Sequence, residues 1–318
     1  MTGPVPAPAG PTSPRVALFV TCVVDVARPD AGVAAVHLLR AAGAEVTCPR
    51  GQTCCGQPAW NAGFADEAVA VARTSLGALE ADPADLVVVP AGSCATMMRR
   101  YWPQLFALAG RPGEADRAQR VADRVRELSE FLGPYAGDPA DADADPAPPS
   151  PGPGGLASEG DHGPGDPPPP REEGEGAIGG PGPRLAYHRS CHLERELHVT
   201  DAPVRLLHAA GVPPAEWEGD DRCCGFGGTF SVRLPEVSVA MADEKLDHLP
   251  DGVDTVVSCD ASCLLHLEAR ARERGLPLRF RHLAEELVEH LPDAPTADGP
   301  TADGPPAASA PGEGRERG

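Results

Sequence analysis

Residues 54–59 read CCGQPA and residues 223–228 read CCGFGG, two adjacent-cysteine turns displaced by 169 residues. Neighbouring thiols make a poor disulfide: their Cα atoms lie about 3.8 Å apart across a trans peptide, whereas relaxed bridges want roughly 4.4 to 6.8 Å. Each pair therefore needs another partner. Working outward, Cys22 precedes the first pair by 31 intervening residues and Cys94 follows it by 38. Cys191 and Cys263 flank the second pair at the same two spacings. Four cysteines in register without a gap mark a duplicated domain.

The flanking segments agree. RVALFVTC (15–22) aligns with RLAYHRSC (184–191), and ADLVVVPAGSC with VDTVVSCDASC, while RELSEFL (126–132) resembles RHLAEEL (281–287) at a different offset. Within each copy short apolar runs alternate with helical periodicity. VALFV (16–20), a run near Glu45 to Cys48 and LVVVP (86–90) read as strands, and 31–44 and 67–80 as helices. LAYH, DTVVS and the helical stretches VRLLHAAG, SVAMADEKLDHL and CLLHLEARARERG repeat the order. The fold class expected is α/β, a duplicated cysteine-rich domain in which each copy is a small parallel sheet flanked by helices. Every paired-register cysteine then falls at a strand's carboxyl end, the edge where open α/β sheets build their sites.

Composition sets the limits of these domains. The chain of 318 residues has 36 Gly, 38 Pro and a net charge of -20. Residues 133–183 carry almost no large apolar side chain and ten acidic residues against one Arg, so they read as a disordered linker. The first CCG domain is expected over 15–132 and the second over 184–291, with residues 1–14 and 292–318 as disordered ends. No basic footprint for nucleic acid and no apolar run long enough for a transmembrane helix is present. MTGPVPAPAGPTSPR lacks the basic start and apolar core of a signal peptide, so a cytoplasmic location is expected. In that reducing compartment ten cysteines point to metal or redox chemistry.

Four soft thiolates per copy suit zinc or an iron–sulfur cluster. Structural zinc sites favour two tight C-x2-4-C knuckles, absent here, whereas clusters accept ligands from scattered loops. The spacing thus favours a cluster, and the sulfurs of each set should converge to roughly 4 to 8 Å. The pattern C-x31-CCG duplicated resembles the cysteine-rich CCG family of iron–sulfur proteins, which includes the CCG-bearing component of heterodisulfide reductase and the iron–sulfur component of glycolate oxidase. HRSCHLERELHV (188–199), CCGFGGTFSVRLPEVS (223–238), DASCLLHL (260–267) and PAGSCATMMRRYWP (90–103) more closely resemble the lactate utilization protein A family.

That resemblance implies an oxidoreductase component for oxidation of L-lactate to pyruvate, acting with other subunits of a complex. One or two 4Fe-4S clusters would be held by Cys22, Cys54, Cys55 and Cys94 and by Cys191, Cys223, Cys224 and Cys263. Many CCG domains end in C-x2-C, but Ala91 and Asp260 stand where the extra cysteine would be, which favours four thiolates per site. Beside these four, Cys259 is a lesser candidate for an extra or alternative ligand. A glycolate-oxidase or heterodisulfide-reductase type partner, or a scaffold stapled by a structural metal, is the competing reading.

Other residues carry weaker signals. Cys48 has Trp217 as its counterpart and reads as a buried core thiol. His188 and His192 flank Cys191, and either can hydrogen-bond a cluster sulfur, move a proton, or serve no chemistry at all. Gly225, Gly227 and Gly228 permit positive φ and make room for a cofactor. GFGG lacks the G-x-G-x-x-G spacing of a dinucleotide site, and Arg195 and Glu196 read as a solvated helix start.

Overall fold

The computed structural model describes residues 13–136 and 184–290. Most of the expected loose N-terminus, linker and tail lies outside them. In the first half four strands form one parallel sheet: β1 (Arg15–Leu18), β2 (Glu45–Thr47), β3 (Leu86–Val89) and β4 (Val125–Glu127), in the order β2-β1-β3-β4. In the second half β5 (Leu185–His188), β6 (Thr255–Ser258) and β7 (Arg279–His282) form a parallel sheet in that order. Helices cover both. The central strands β3 and β6 are buried almost throughout, so they read as unbroken apolar runs and not as alternating ones.

The halves differ in three ways that the sequence explains. The strand matching β2 shrinks to one bridge, Ala186 to Ala215, because Pro213 and Pro214 supply no N–H to a ladder. The RELSEFL and RHLAEEL segments prove to be β4 and β7, each running into a short helix, Leu128–Leu132 and Leu283–Val288. Glu127 with Glu130, and His282 with Glu285, close reciprocal caps at those helix starts. Their offset departs from that of the cysteines because helix Pro112–Ala122 intervenes only in the first half. The first half also continues through a 3-10 turn, Gly133–Ala136, into the stretch expected to be linker. Tyr135 holds that turn, its ring 6.2 Å from Phe131 and packed into the core shared by the halves.

The two halves exchange helices. Helix Pro29–Ala41 packs on Leu283–Val288, and Leu128–Leu132 packs on Ala202–Ala209. Leu38, Leu39, Leu132, Leu207 and Leu287 therefore join one apolar cluster. Polar contacts fix the arrangement: Arg28 donates to the Phe280 carbonyl (2.7 Å) and pairs with Glu268, and the His282 Nε2–H donates to the Pro90 carbonyl (3.0 Å). At Gly92 a Cβ would lie 2.7 Å from that of Leu193, so any side chain there would push the halves apart. This close approach brings the carboxyl edges of the two sheets together.

Candidate metal centre

All eight register-matched cysteines line one cavity of about 120 Å³ between the halves. Cys22 opens the helix Cys22–Ala27 just after β1, and Cys191 lies just after β5. Both pairs sit in loops, and Cys94 and Cys263 lie in the helices that follow β3 and β6. In each set the second thiol of the pair and the last one, Cys55 with Cys94 and Cys224 with Cys263, are buried. The other two are half-buried. All ten cysteines are free thiols, including both adjacent pairs, whose geometry disfavours a bridge. The Cys55 and Cys94 sulfurs lie 3.3 Å apart, closer than the expected window, because two thiols sharing a proton sit at hydrogen-bond distance.

The backbone around each pair is held from several sides. Gln52 ties the first two cysteine loops together, accepting from Val20 N–H (2.9 Å) and donating to the Leu18 carbonyl (3.1 Å). Trp102, wholly buried, donates its indole N–H to the Cys55 carbonyl (2.7 Å). Thr21, beside Cys22, has φ of 71°, a strained conformation for a β-branched residue, and its side chain accepts from Val24 N–H (3.3 Å). The third residue of each motif has φ near 90°, and a Cβ would sit 3.0 Å from the Ala68 carbonyl oxygen at Gly56 and 2.5 Å from that of Ser238 at Gly225. The space around Gly225 is thus taken by the approach of helix Pro235–Asp247. Gly227 and Gly228 line the cavity, but a Cβ at Gly227 would meet Phe230 Cβ at 2.8 Å, so there too the space is taken by the protein's own packing.

Thiol acidity is divided in the same way in both sets. Cys54 is held far below the ordinary thiol range by hydrogen bonds from Cys22 and then Cys55, and Cys223 by those from Cys191 and then Cys224. Backbone N–H groups of Gly56 and Gly225 add to this, each 3.4 Å from the sulfur. The donors Cys22 and Cys191 are pushed up by the same bonds, then by burial. Each set is thus a cluster of soft donors with one thiolate already favoured, chemistry that suits a thiophilic metal.

Other candidates separate clearly. Cys259 is fully buried away from the cavity, its sulfur 3.2 Å from the Tyr187 hydroxyl, so it packs as a core thiol. Cys48, expected to be buried, is exposed, because it follows edge strand β2 where no further strand covers the sheet. His192 lines the cavity: the Gln57 amide donates to its Nε2 (3.1 Å), leaving Nδ1–H to face Cys191 Sγ at 3.7 Å. Arg195 donates to the Asp221 carbonyl (3.0 Å), a local surface contact. His188 is wholly buried with no partner on either ring nitrogen, and its ligand atom, Cys224 Sγ and Cys263 Sγ all lie within 4.8 Å of one another.

Two further residues escape a reading by composition. Asp260 caps helix Ala261–Glu273 and accepts from the Ser93 N–H of the other half (2.9 Å), joining the halves at the cavity. Lys245, only 1% exposed, donates to the carbonyls of Asp220 (3.2 Å) and Arg222 (2.7 Å) and lies over the Trp217 ring. Helical spacing held the signal, since Ser238, Ala242, Lys245 and Leu246 share one buried face.

A fold of two small parallel sheets with paired cysteine loops at their facing edges defines a duplicated cysteine-rich domain. The family described as CCG, Cysteine-rich domain, matches residues 16–99 and 185–268. The chain is 37% identical over 284 residues to lactate utilization protein A of Exiguobacterium sp., covering 88% of this chain and 100% of the relative. Those of Geobacillus kaustophilus and Bacillus subtilis are 37% and 34% identical, over 86% of this chain and 98% of each relative. The chain belongs to the lactate utilization protein A family. Among the described residues no helix is long and apolar enough to cross a membrane.

Proposed function

We propose that each cysteine set holds one 4Fe-4S cluster and that the chain is the iron–sulfur, electron-transfer component of a complex oxidising L-lactate to pyruvate. The observation that carries this reading is the convergence of eight thiols from two sequence-distant sets on one cavity. Four thiolates per set match a cubane's ligand count, and the scattered loops match its size better than a zinc knuckle. A bound cluster exchanges single electrons. Lactate oxidation releases two electrons and two protons, so two adjacent one-electron sites suit its stoichiometry. The chain's own residues supply the acidic thiols Cys54 and Cys223, hold the Cys55 backbone in place through the Trp102 indole, and orient His192 toward Cys191. Lactate binding and the two-electron step would fall to partner subunits, since the sequence shows no dinucleotide fingerprint.

Anaerobic purification followed by iron, sulfide and zinc analysis tests the cofactor. Iron and sulfide in equal amounts, with visible charge-transfer absorption, is the expected result; zinc alone at full occupancy would overturn it. The substrate is tested by deleting the gene. Growth on L-lactate should be lost, and normal growth on lactate with loss on glycolate would transfer the role to another 2-hydroxy acid.

A further inference from the structure

The two cysteine sets have similar thiols but different surroundings. Under the register of the cysteines, His188 at the end of β5 takes the place of Phe19 after β1. Both are wholly buried. The second half also presents a lysine where the first has none. The carbonyl beneath Gly56 belongs to Ala68 and the one beneath Gly225 to Ser238, so these helices run one residue out of the cysteine register. That shift sets Lys245 opposite Ser75, whose hydroxyl accepts from Thr53 N–H (2.9 Å) and carries no charge.

His188 is a satisfiable group left unsatisfied. A neutral imidazole offers one N–H and one lone pair, and burying both without partners is unfavourable. One ring nitrogen, Cys224 Sγ and Cys263 Sγ all lie within 4.8 Å of one another, so a centre held by those two thiols would bring sulfur next to the ring. The second set also receives one more backbone donor, Phe226 N–H to Cys224 Sγ (3.5 Å). Asp260 carries the opposing charge at this cavity, but its carboxylate is engaged by the N–H groups of Ser93 and Ser262 and by the Ser262 hydroxyl.

We propose that the second cysteine set holds the more easily reduced of two centres, because the His188 ring donates an N–H hydrogen bond to a sulfur there and the Lys245 ammonium lies behind it. Donors to sulfur and nearby positive charge stabilise the reduced, more negative form of an iron–sulfur centre. Phe19 and Ser75 give the first set neither. The cavity is thereby polarised, so that an electron entering it settles on the side of the second half. His188 is a positioning residue here, and this inference rests on the iron–sulfur reading above.

The test is an EPR-monitored redox titration of the intact chain, reconstituted anaerobically with iron and sulfide, beside H188F, H188Q and K245M. Wild type should show two separate midpoints. H188F, at full iron content, should lower the higher midpoint alone, and an exchangeable-proton coupling should disappear from that centre in deuterium-exchange ENDOR. H188Q, which keeps an N–H donor, should hold the midpoint nearer wild type, and K245M should lower the same midpoint as H188F. Unchanged midpoints in H188F, or a shift confined to the lower one, overturns the proposal. A wild-type chain that takes up no iron fails the proposed function itself, a separate outcome.

Discussion

Replacing Gly225 by Ala isolates the reason the motif reads CCG. The perturbation adds one methyl group at φ 88°, with its carbon 2.5 Å from the Ser238 carbonyl oxygen. Two costs follow. The left-handed backbone disfavours an L-residue by roughly 1–2 kcal/mol. Relief of the overlap then needs helix Pro235–Asp247 to retreat toward ordinary contact, and forced repacking of a buried interface costs about 1–3 kcal/mol. Gly43 separates the two costs, since its φ is 81° but a Cβ there would meet nothing within 4 Å. Gly56, with 3.0 Å to the Ala68 oxygen, falls between. Thermal denaturation of the three alanine variants should rank the losses Gly43 < Gly56 < Gly225, with Gly43→Ala near the backbone cost alone. Equal losses at Gly43 and Gly225 would refute the claim that helix approach, and not φ alone, demands glycine.

Three further outcomes follow from single residues. Glu127 is fully buried with Oε1 unpartnered, and burial raises its carboxyl from 4.5 to about 7. Between those values the unfolded chain loses a proton that the folded chain keeps, so stability should fall as pH rises, by up to roughly 3 kcal/mol, and level off above pH 7. Denaturant melts of Glu127→Gln should show that slope flattened; an unchanged slope would place the titration elsewhere. Cys259→Ala should cost core packing, about 1 kcal/mol, while leaving iron content intact, and metal analysis showing lost iron would make it a ligand. Trp102→Phe removes the donor to the Cys55 carbonyl and should destabilise the chain by roughly 1–3 kcal/mol in thermal melts, with no effect expected if that carbonyl finds water.

The duplicated cysteine register made the α/β copies and the eight candidate residues readable, because thiols that share a site must keep their spacing to the strands that present them. The merging of both sets into one cavity was not readable. It depends on helix exchange between halves, such as Pro29–Ala41 against Leu283–Val288, and on a glycine, Gly92, whose requirement lies 101 residues away at Leu193. β4 was hidden because three residues, one an Arg and one a buried Glu, carry no apolar run. Cys48 was misjudged since thiol burial was inferred from residue type, while exposure was decided by its place beyond an edge strand. Lys245 drew no reading of its own within SVAMADEKLDHL, because a single charge in a polar stretch gives no sign of burial, and only its place on the helical face with Ser238, Ala242 and Leu246 does.

Iron and acid-labile sulfide per chain, measured anaerobically in wild type, Cys54→Ser and Cys223→Ser, tests the account most directly. Two four-iron sites predict about eight iron and eight sulfide in wild type, and about half of each in either variant. Complete loss of iron from both variants would mean a single shared site, and zinc without sulfide in wild type would contradict the account outright.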